Sequence, residues 1–209
     1  MVLEKATNDL GYSVILREEL GYFEGKRLRR TIWLCPYYNQ WKAMLSRCYD
    51  VKFLKKNPSY VGVLCSDSWL LASEFKSWME QQDWVGKQLD KDILVFGNRL
   101  YSRDTCAFVT KLTNNFVLDS KASRGIHPIG VNLHKATGKF VAQCRNPWEN
   151  RQEHLGLFHT PEEAHEAWRK RKHELAQLVA ATESDPRVVG ALKKRYSPEE
   201  WYKNNPISS

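Results

Sequence analysis

The sequence predicts an α+β protein with two folded parts. In the N-terminal part, a strand hairpin leads into a short helix and is flanked by further helices. In the C-terminal part, three runs of alternating apolar and polar residues are followed by one amphipathic helix, the pattern of a three-stranded antiparallel sheet packed on a helix. The 209 residues are 42% hydrophobic and 27% charged, which is typical of a folded chain of one or two domains.

The composition and the chain ends limit the function classes. No apolar run is long enough to span a bilayer, and residues 1–5 lack the basic-then-apolar pattern of a secretory signal. We therefore expect a cytoplasmic protein without a membrane partner. The formal net charge of +8 favours a polyanionic partner, nucleic acid before others, although such a charge is also common in proteins that bind no DNA.

The first elements are a strand hairpin and a helix. Residues 12–16 and 30–34 have strand-like patterns and flank a turn at 21–26. Pro36 is suited to the first position of a helix, where its missing N–H is not needed. The apolar face of this helix has helical spacing and consists of Trp41, Met44, Leu45 and Cys48.

A second helix follows a break at Asn57 and Pro58. Residues 61–65 read as a short extended stretch, and Ser66 or Asp67 is a suitable cap for the next helix. The apolar stripe of that helix is Trp69, Phe75, Trp78 and Met79. Aromatic residues at this spacing indicate a core rather than a binding platform.

A hairpin and a short helix complete the N-terminal part. Residues 89–96 are predicted as a strand, 105–109 as its return strand, and 111–118 as a helix of two turns. The polar segment 119–125 has the composition of a linker. We therefore place the first domain at 1–120.

The C-terminal part of the sequence predicts a three-stranded meander and a helix that covers one face of it. Residues 129–134, 139–145 and 154–158 alternate, and turn residues separate them. Thr160 caps a helix that runs to about Ala181. The second domain is thus 121–182, and 183–209 forms a basic C-terminal helix and tail.

Alternation assigns the two faces of this sheet. The predicted inward residues are Val131, Leu133, Phe140, Ala142 and Leu157. The candidate DNA-binding residues, on the outward face or beside it, are Arg124, Asn132, His134, Lys139, Gln143, Arg145, Arg151 and His154. Such side chains read base edges or neutralise phosphates. The alternative is a solvated sheet face.

Two further basic clusters are candidate phosphate contacts. They are Arg27, Arg29 and Arg30 near the N-terminus, and Lys193, Lys194 and Arg195 near the C-terminus. Contacts of this kind add salt-dependent affinity without sequence information. A solvated surface explains both clusters equally well.

The C-terminal part resembles the apetala-type DNA-binding domain, which occurs in plant transcription factors and in phage homing endonucleases. The matching residues are G-V at 130–131, G-K-F-V-A at 138–142, Arg145, L-G-L-F at 155–158 and T-P-E-E-A at 160–164. The resemblance implies that the sheet lies in the major groove of double-stranded DNA and that the helix braces it from behind.

The N-terminal part resembles phage HNH homing endonucleases of the His-Me finger superfamily. The matching residues are W-x-x-M-L-x-R-C-Y at 41–49, V-x-C at 63–65 with Trp69, Phe75 and Trp78, L-D-K-D at 89–92, Y-S-x-D-T-C-x-F-V at 101–109, and Asn114 with Asn115. The resemblance implies a hairpin and helix that clasp one divalent metal and hydrolyse a phosphodiester bond.

The chain departs from that family at the general base. All six histidines lie after residue 120, so the expected strand histidine is missing and Asp90-Lys91-Asp92 stands in its place. On a strand, Asp90 and Asp92 would share one face about 6–7 Å apart. With Asn115 they are the candidate catalytic residues and the candidate ligands of Mg²⁺ or Mn²⁺. Surface carboxylates paired with Lys91 or Arg99 are the alternative.

Five cysteines are expected to be thiols or metal ligands in a reducing compartment. Cys35, Cys48, Cys65 and Cys106 are four candidate ligands of a structural Zn²⁺. Their spacings of 12, 16 and 40 intervening residues include no Cys-x-x-Cys pair, which favours buried thiols instead.

The interpretation that joins these features is a metal-dependent DNA endonuclease of the phage homing type, located in the host cytoplasm. The alternative is a catalytically degenerate protein that binds DNA without cutting it and acts as a regulator or an inhibitor of a host protein. A structural virion or assembly protein is a weaker third option. The sequence leaves the target site and the oligomeric state open.

Overall fold

A computed structural model describes residues 3–118, 126–149 and 151–205. In chain order the strands and helices are β1 (Leu3–Thr7), β2 (Ser13–Phe23), β3 (Lys26–Leu34), α1 (Pro36–Tyr49), α2 (Val51–Lys56), β4 (Leu64–Cys65), α3 (Ala72–Met79), β5 (Gln88–Asp90), β6 (Leu100–Tyr101), β7 (Ala107–Val109), α4 (Lys111–Val117), β8 (Val131–His134), β9 (Lys139–Asn146), β10 (Arg151–Phe158), α5 (Pro161–Ala180), α6 (Pro186–Arg195) and α7 (Pro198–Asn204). The mixed α+β class is confirmed.

The chain divides into two compact units. One contains the residues up to Trp84 together with Gly97–Cys106, and the other contains Val85–Phe96 and the chain from Ala107 onward. This division differs from the predicted boundary after residue 120, because 85–96 and 107–118 pack with the C-terminal part. The predicted linker at 119–125 lies outside the described residues.

The first unit begins with a sheet in the order β1-β2-β3. Glu24 and Gly25 form the tight turn between β2 and β3, and Phe23 pairs with Lys26. The three arginines of β3 are held by carboxylates of β1 and β2: Arg27 by Glu19 at 2.5 Å, Arg30 by Glu18 at 2.5 Å and Arg29 by Glu4 at 3.0 Å. The candidate phosphate contacts of this cluster are therefore ion-paired within the sheet.

An aromatic core lies under α1 and α3 of the same unit. Trp69, Phe75 and Met44 are almost completely buried, which confirms the predicted core role of these residues. The second helix does not begin at the predicted cap. Residues 67–70 form a 3₁₀ turn, and α3 starts only at Ala72 because Leu71 has an extended backbone.

The predicted strand 89–96 is wrong beyond Asp90. The Asp90 Oδ1 atom accepts hydrogen bonds from the backbone N–H groups of Asp92 at 2.9 Å and Ile93 at 2.7 Å. This side-chain turn replaces the strand ladder, so β5 ends at Asp90 and pairs with β7 through three residues. Asp92 therefore does not share a strand face with Asp90.

The predicted meander is confirmed, with strand order β10-β9-β8. The helix after it, α5, has the predicted Thr160 cap, and Glu163 closes a reciprocal capping box. Leu157 was predicted to point inward, and this is wrong. A bulge between His154 and Gly156 shifts the register, so Leu157 pairs with Val141 while Leu155 and Phe158 pack on the core.

A large apolar core lies in the second unit, beside the smaller cluster between the sheet and α5. Residues of β7, α4, α5 and α6 contribute to it, among them Val109, Phe116, Leu175 and Leu192. His165 of α5 is half-buried. Its Nδ1 atom hydrogen-bonds with the Ile129 carbonyl at 2.9 Å, and its Nε2 atom accepts from Trp201 Nε1 at 3.2 Å.

Among the described residues, no helix is long and apolar enough to cross a membrane.

Candidate nucleic-acid interface

The outward face of the C-terminal sheet is polar and basic. Cross-strand partners in an antiparallel sheet point to the same side, so the register assigns each side chain to a face. The pairs on the face away from α5 are Asn132 with Val141, His134 with Lys139, Gln143 with His154, Arg145 with Gln152, and Val141 with Leu157. Six of the eight predicted DNA-binding residues thus lie together on this face.

The sheet separates its charges between the two faces. Glu153, which is the acidic residue of these three strands, points to α5 and accepts from Arg171 at 2.7 and 3.1 Å and from Asn146 at 2.8 Å. The Arg171 guanidinium lowers the pKa of Glu153 to about 2. Because this carboxylate faces inward, the outward strand positions carry lysine, arginine, histidine and amides and no acidic residue.

The side-chain amides on this face are held in place. Asn132 Nδ2 donates to Gln143 Oε1 at 3.5 Å across the neighbouring strands. The His134 Nδ1 atom lies 2.8 Å from the hydroxyl of Thr137 in the adjoining turn. Two amides side by side present both donors and acceptors, the combination that reads an adenine edge.

Two predicted DNA-binding residues are not on this face. Arg151 pairs with Asn146, so it lies on the inward side of the register, and its guanidinium forms an ion pair with Glu149. Arg124 lies outside the described residues. Gln152 belongs to the face but was missed, because the third strand was predicted to begin at residue 154, whereas β10 begins at Arg151.

Asp90 and Asp92 form a carboxylate pair in the second unit. Burial, followed by the nearby Asp92 carboxylate, raises the pKa of Asp90 to about 6. The Asp92 Oδ2 atom is 3.1 Å from Lys91 Nζ. Two neighbouring carboxylates fit a divalent cation by their donor chemistry. The lysine competes for one of them.

Asn115, the third predicted ligand, is exposed on α4. It lines a cleft together with Gln143 and Arg145 of the sheet. Across the ranges that the structure describes, no group of three or more His, Cys, Asp or Glu residues is arranged to hold a metal ion. A ligand set that includes Asn115 therefore stays a prediction.

The candidate zinc cysteines are free thiols. Cys48, Cys65 and Cys106 are buried, and Cys35 is half-buried. In the described parts of the chain, no three of these four cysteines form a metal-binding group. The Tyr49 hydroxyl lies 3.5 Å from Cys65 Sγ, so this thiol has a hydrogen-bond partner within the core.

Comparison with known proteins gives one local match. A stretch of 56 residues, 27% of this chain, is 39% identical to an ethylene-responsive transcription factor from Arabidopsis thaliana. The chain covers only 17% of the length of that relative. No family model matches the chain, and no solved structure matches it.

Proposed function

We propose that this protein binds double-stranded DNA through the outward face of β8, β9 and β10. The observation that carries the proposal is the separation of charge across the sheet, with Glu153 turned to α5 and Lys139 and Arg145 turned outward. Three strands about 4.8 Å apart span about 10 Å. This width is comparable with the major groove, which is about 12 Å wide.

The outward residues divide into two roles. Lys139 and Arg145 neutralise phosphates or donate to guanine, while Asn132 and Gln143 present amides to base edges. The local match to a transcription factor supports DNA binding as the function. The net charge of +8 adds long-range attraction to a polyanion.

Binding can be tested by fluorescence anisotropy with a labelled duplex over a range of salt concentrations. We expect Lys139→Gln and Arg145→Gln each to weaken binding and to reduce the slope of log K against log salt by about 0.9. Lys170→Gln is the matched control, because Lys170 is an exposed lysine of α5, the helix that covers the other side of the sheet. It should leave the slope almost unchanged.

Equal effects of all three variants would contradict the proposal. That result would mean that affinity depends on net charge alone and not on the sheet face. A wild-type protein without measurable duplex affinity at low salt would refute DNA binding altogether.

A second candidate function is metal-dependent hydrolysis of the DNA backbone. The observation that favours it is that the Asp92 carboxylate lies close enough to Asp90 to contribute to the raised pKa of Asp90, so two carboxylates meet at one place. Carboxylate oxygens are the ligands that Mg²⁺ and Mn²⁺ prefer. Asp90 and Asp92 would hold the Mg²⁺ or Mn²⁺, with Asn115 as the predicted third ligand. The metal would supply Lewis-acid stabilisation of the phosphate.

Nicking of supercoiled plasmid tests this second candidate. We expect nicks with Mg²⁺ or Mn²⁺, none with EDTA, and none for Asp90→Asn or Asp92→Asn, both of which should still bind DNA. Asp104→Asn is the control, because Asp104 is an exposed aspartate of the first unit. Metal-independent binding without any nicking would instead identify a binding protein on a degenerate nuclease scaffold.

A further inference from the structure

A cleft of about 710 Å³ lies next to the outward face of the sheet. This volume is within the range of small-molecule sites, about 300–1,000 Å³. The polar residues that line the cleft come from α4, β9, β10 and α5 and are Lys111, Asn115, Gln143, Arg145, Gln152 and Lys172. Gln143, Arg145 and Gln152 also belong to the proposed DNA-binding face, so the two surfaces are continuous.

The lining of the cleft is suited to an anionic ligand with a flat ring. Three side chains are cationic, three are amides, and none is a carboxylate. The apolar part of the wall includes the aromatic residues Phe116 and Trp168. Cations bind a phosphate, amides bind the edge of a base, and apolar side chains of the wall such as Leu112 and Ile129 accommodate the face of a base.

Lys172 is a fixed cation in this wall. Its Nζ atom donates to the Phe116 carbonyl at 2.7 Å and lies 3.6 Å from the centroid of the Phe116 ring. Burial lowers the pKa of Lys172 to about 8, so the amine is still mostly protonated at pH 7. A half-buried ammonium that is oriented before binding loses little entropy when it meets an anion.

We propose that the cleft holds one nucleotide displaced from the duplex that the sheet face binds. The proposal rests on the proposed DNA binding, because Gln143 and Arg145 belong both to the DNA-binding face and to the lining of the cleft. Displacing a base from a stack takes a few kcal/mol, and least where the base is unpaired. A free nucleotide has the same chemistry, so the experiment must separate the two sources.

The test compares two duplexes that differ at one position, where a base stands either in a normal pair or opposite an abasic site. In anisotropy measurements we expect the wild-type protein to bind the duplex with the unpaired base about 10-fold more tightly, because that base can leave the stack without breaking a base pair. Lys172→Met keeps the side-chain length without the charge, and it should reduce this preference to about 2-fold or less. Lys111→Gln is a second variant at an exposed position, and should reduce it in the same direction.

Lys170→Gln should keep the full preference, since Lys170 lies on α5 outside the cleft. If both duplexes bind equally and the cleft variants change nothing, the inference is overturned while binding by the sheet face stands. If neither duplex binds, the proposed function itself fails.

Calorimetry with free deoxynucleoside monophosphates completes the test. We expect affinity for free nucleotide to be weak, because it lacks the anchoring provided by the duplex. Tight binding of free nucleotide that is lost in Lys172→Met, without any preference between the duplexes, would overturn the assignment to a displaced nucleotide.

Discussion

Replacement of Gly130 by alanine should disrupt the contact between the sheet and α5. Gly130 directly precedes β8 and has a φ of +81°. An added Cβ would lie 2.1 Å from Cδ1 and 2.2 Å from Cγ of Trp168. This indole cannot easily move, because it is only 5% exposed and packs on the His165 ring at 5.3 Å and on the Trp201 ring at 5.4 Å.

Two energetic costs determine how much stability Gly130→Ala loses. The left-handed backbone adds about 1–2 kcal/mol for a residue with a Cβ, and overpacking of a tight core adds about 1–3 kcal/mol. We therefore expect Gly130→Ala to lower the free energy of unfolding by about 2–5 kcal/mol. Urea denaturation, followed by tryptophan fluorescence, measures this change.

Gly138→Ala is the matched control for the backbone term. Gly138 also has a positive φ, +66°, but its added Cβ would have no neighbour within 4 Å. We expect a loss of only about 1–2 kcal/mol there. Equal losses for the two variants would refute the argument, because the clash with Trp168 would then contribute nothing.

Three further predictions concern charged groups. The pKa of Asp90, about 6, is raised above its unfolded value of 3.8, so the wild-type protein should lose stability as the pH rises from about 4 to above 6. At pH 7.5 Asp90→Asn should therefore be more stable than the wild-type protein by about 1–3 kcal/mol in urea denaturation. Equal stability of the two proteins would contradict this. The pKa of Glu153 is lowered to about 2, so this carboxylate stabilises the fold above pH 4.5, and the stabilisation is lost as the pH falls towards 2. Glu153→Gln should lower the free energy of unfolding by about 1–2 kcal/mol at pH 7. An unchanged free energy of unfolding would mean that the ion pair with Arg171 does not stabilise the protein. Arg30 belongs to β3 of the first sheet and not to the proposed DNA-binding face. Arg30→Gln should therefore change the salt slope of DNA binding less than Arg145→Gln does, and the reverse order would place the DNA on the first sheet.

Local patterns were sufficient for the C-terminal sheet. Period-two alternation, the Thr137-Gly138 turn and the Thr160 cap each act within a few residues, and the structure has all three where the sequence predicts them. The error at Leu157 has a local cause that alternation cannot show. A single bulged residue before it reverses the face of every residue that follows.

The candidate carboxylates show a different limit of sequence reasoning. Residues 89–96 have strand composition, but one side chain decides the conformation, since Asp90 bonds two backbone N–H groups that a strand would have used. The signal was present, because aspartate commonly forms such turns. The apolar residues after Asp90 outweighed this signal, because they have the composition of a strand. One of them, Ile93, instead joins the core of the second unit.

Contacts between distant parts of the chain were beyond prediction. Arg195 belongs to a basic cluster that reads as a solvated or phosphate-binding surface. In the structure its guanidinium donates to the Asp92 carbonyl at 3.3 Å and lies 5.0 Å from the Phe96 ring. Lys172 likewise reads as one of several basic residues of α5, and only the packing of α4 against that helix shows that it is half-buried.

The central claim is that the outward sheet face contacts DNA, and lysine footprinting tests it most directly. The protein would be acetylated with and without a saturating duplex in EDTA, and each lysine quantified by mass spectrometry. We predict that the duplex protects Lys139 and leaves Lys170 as reactive as in the free protein. Unchanged reactivity at Lys139, with protection at Lys170 or elsewhere, would contradict the account.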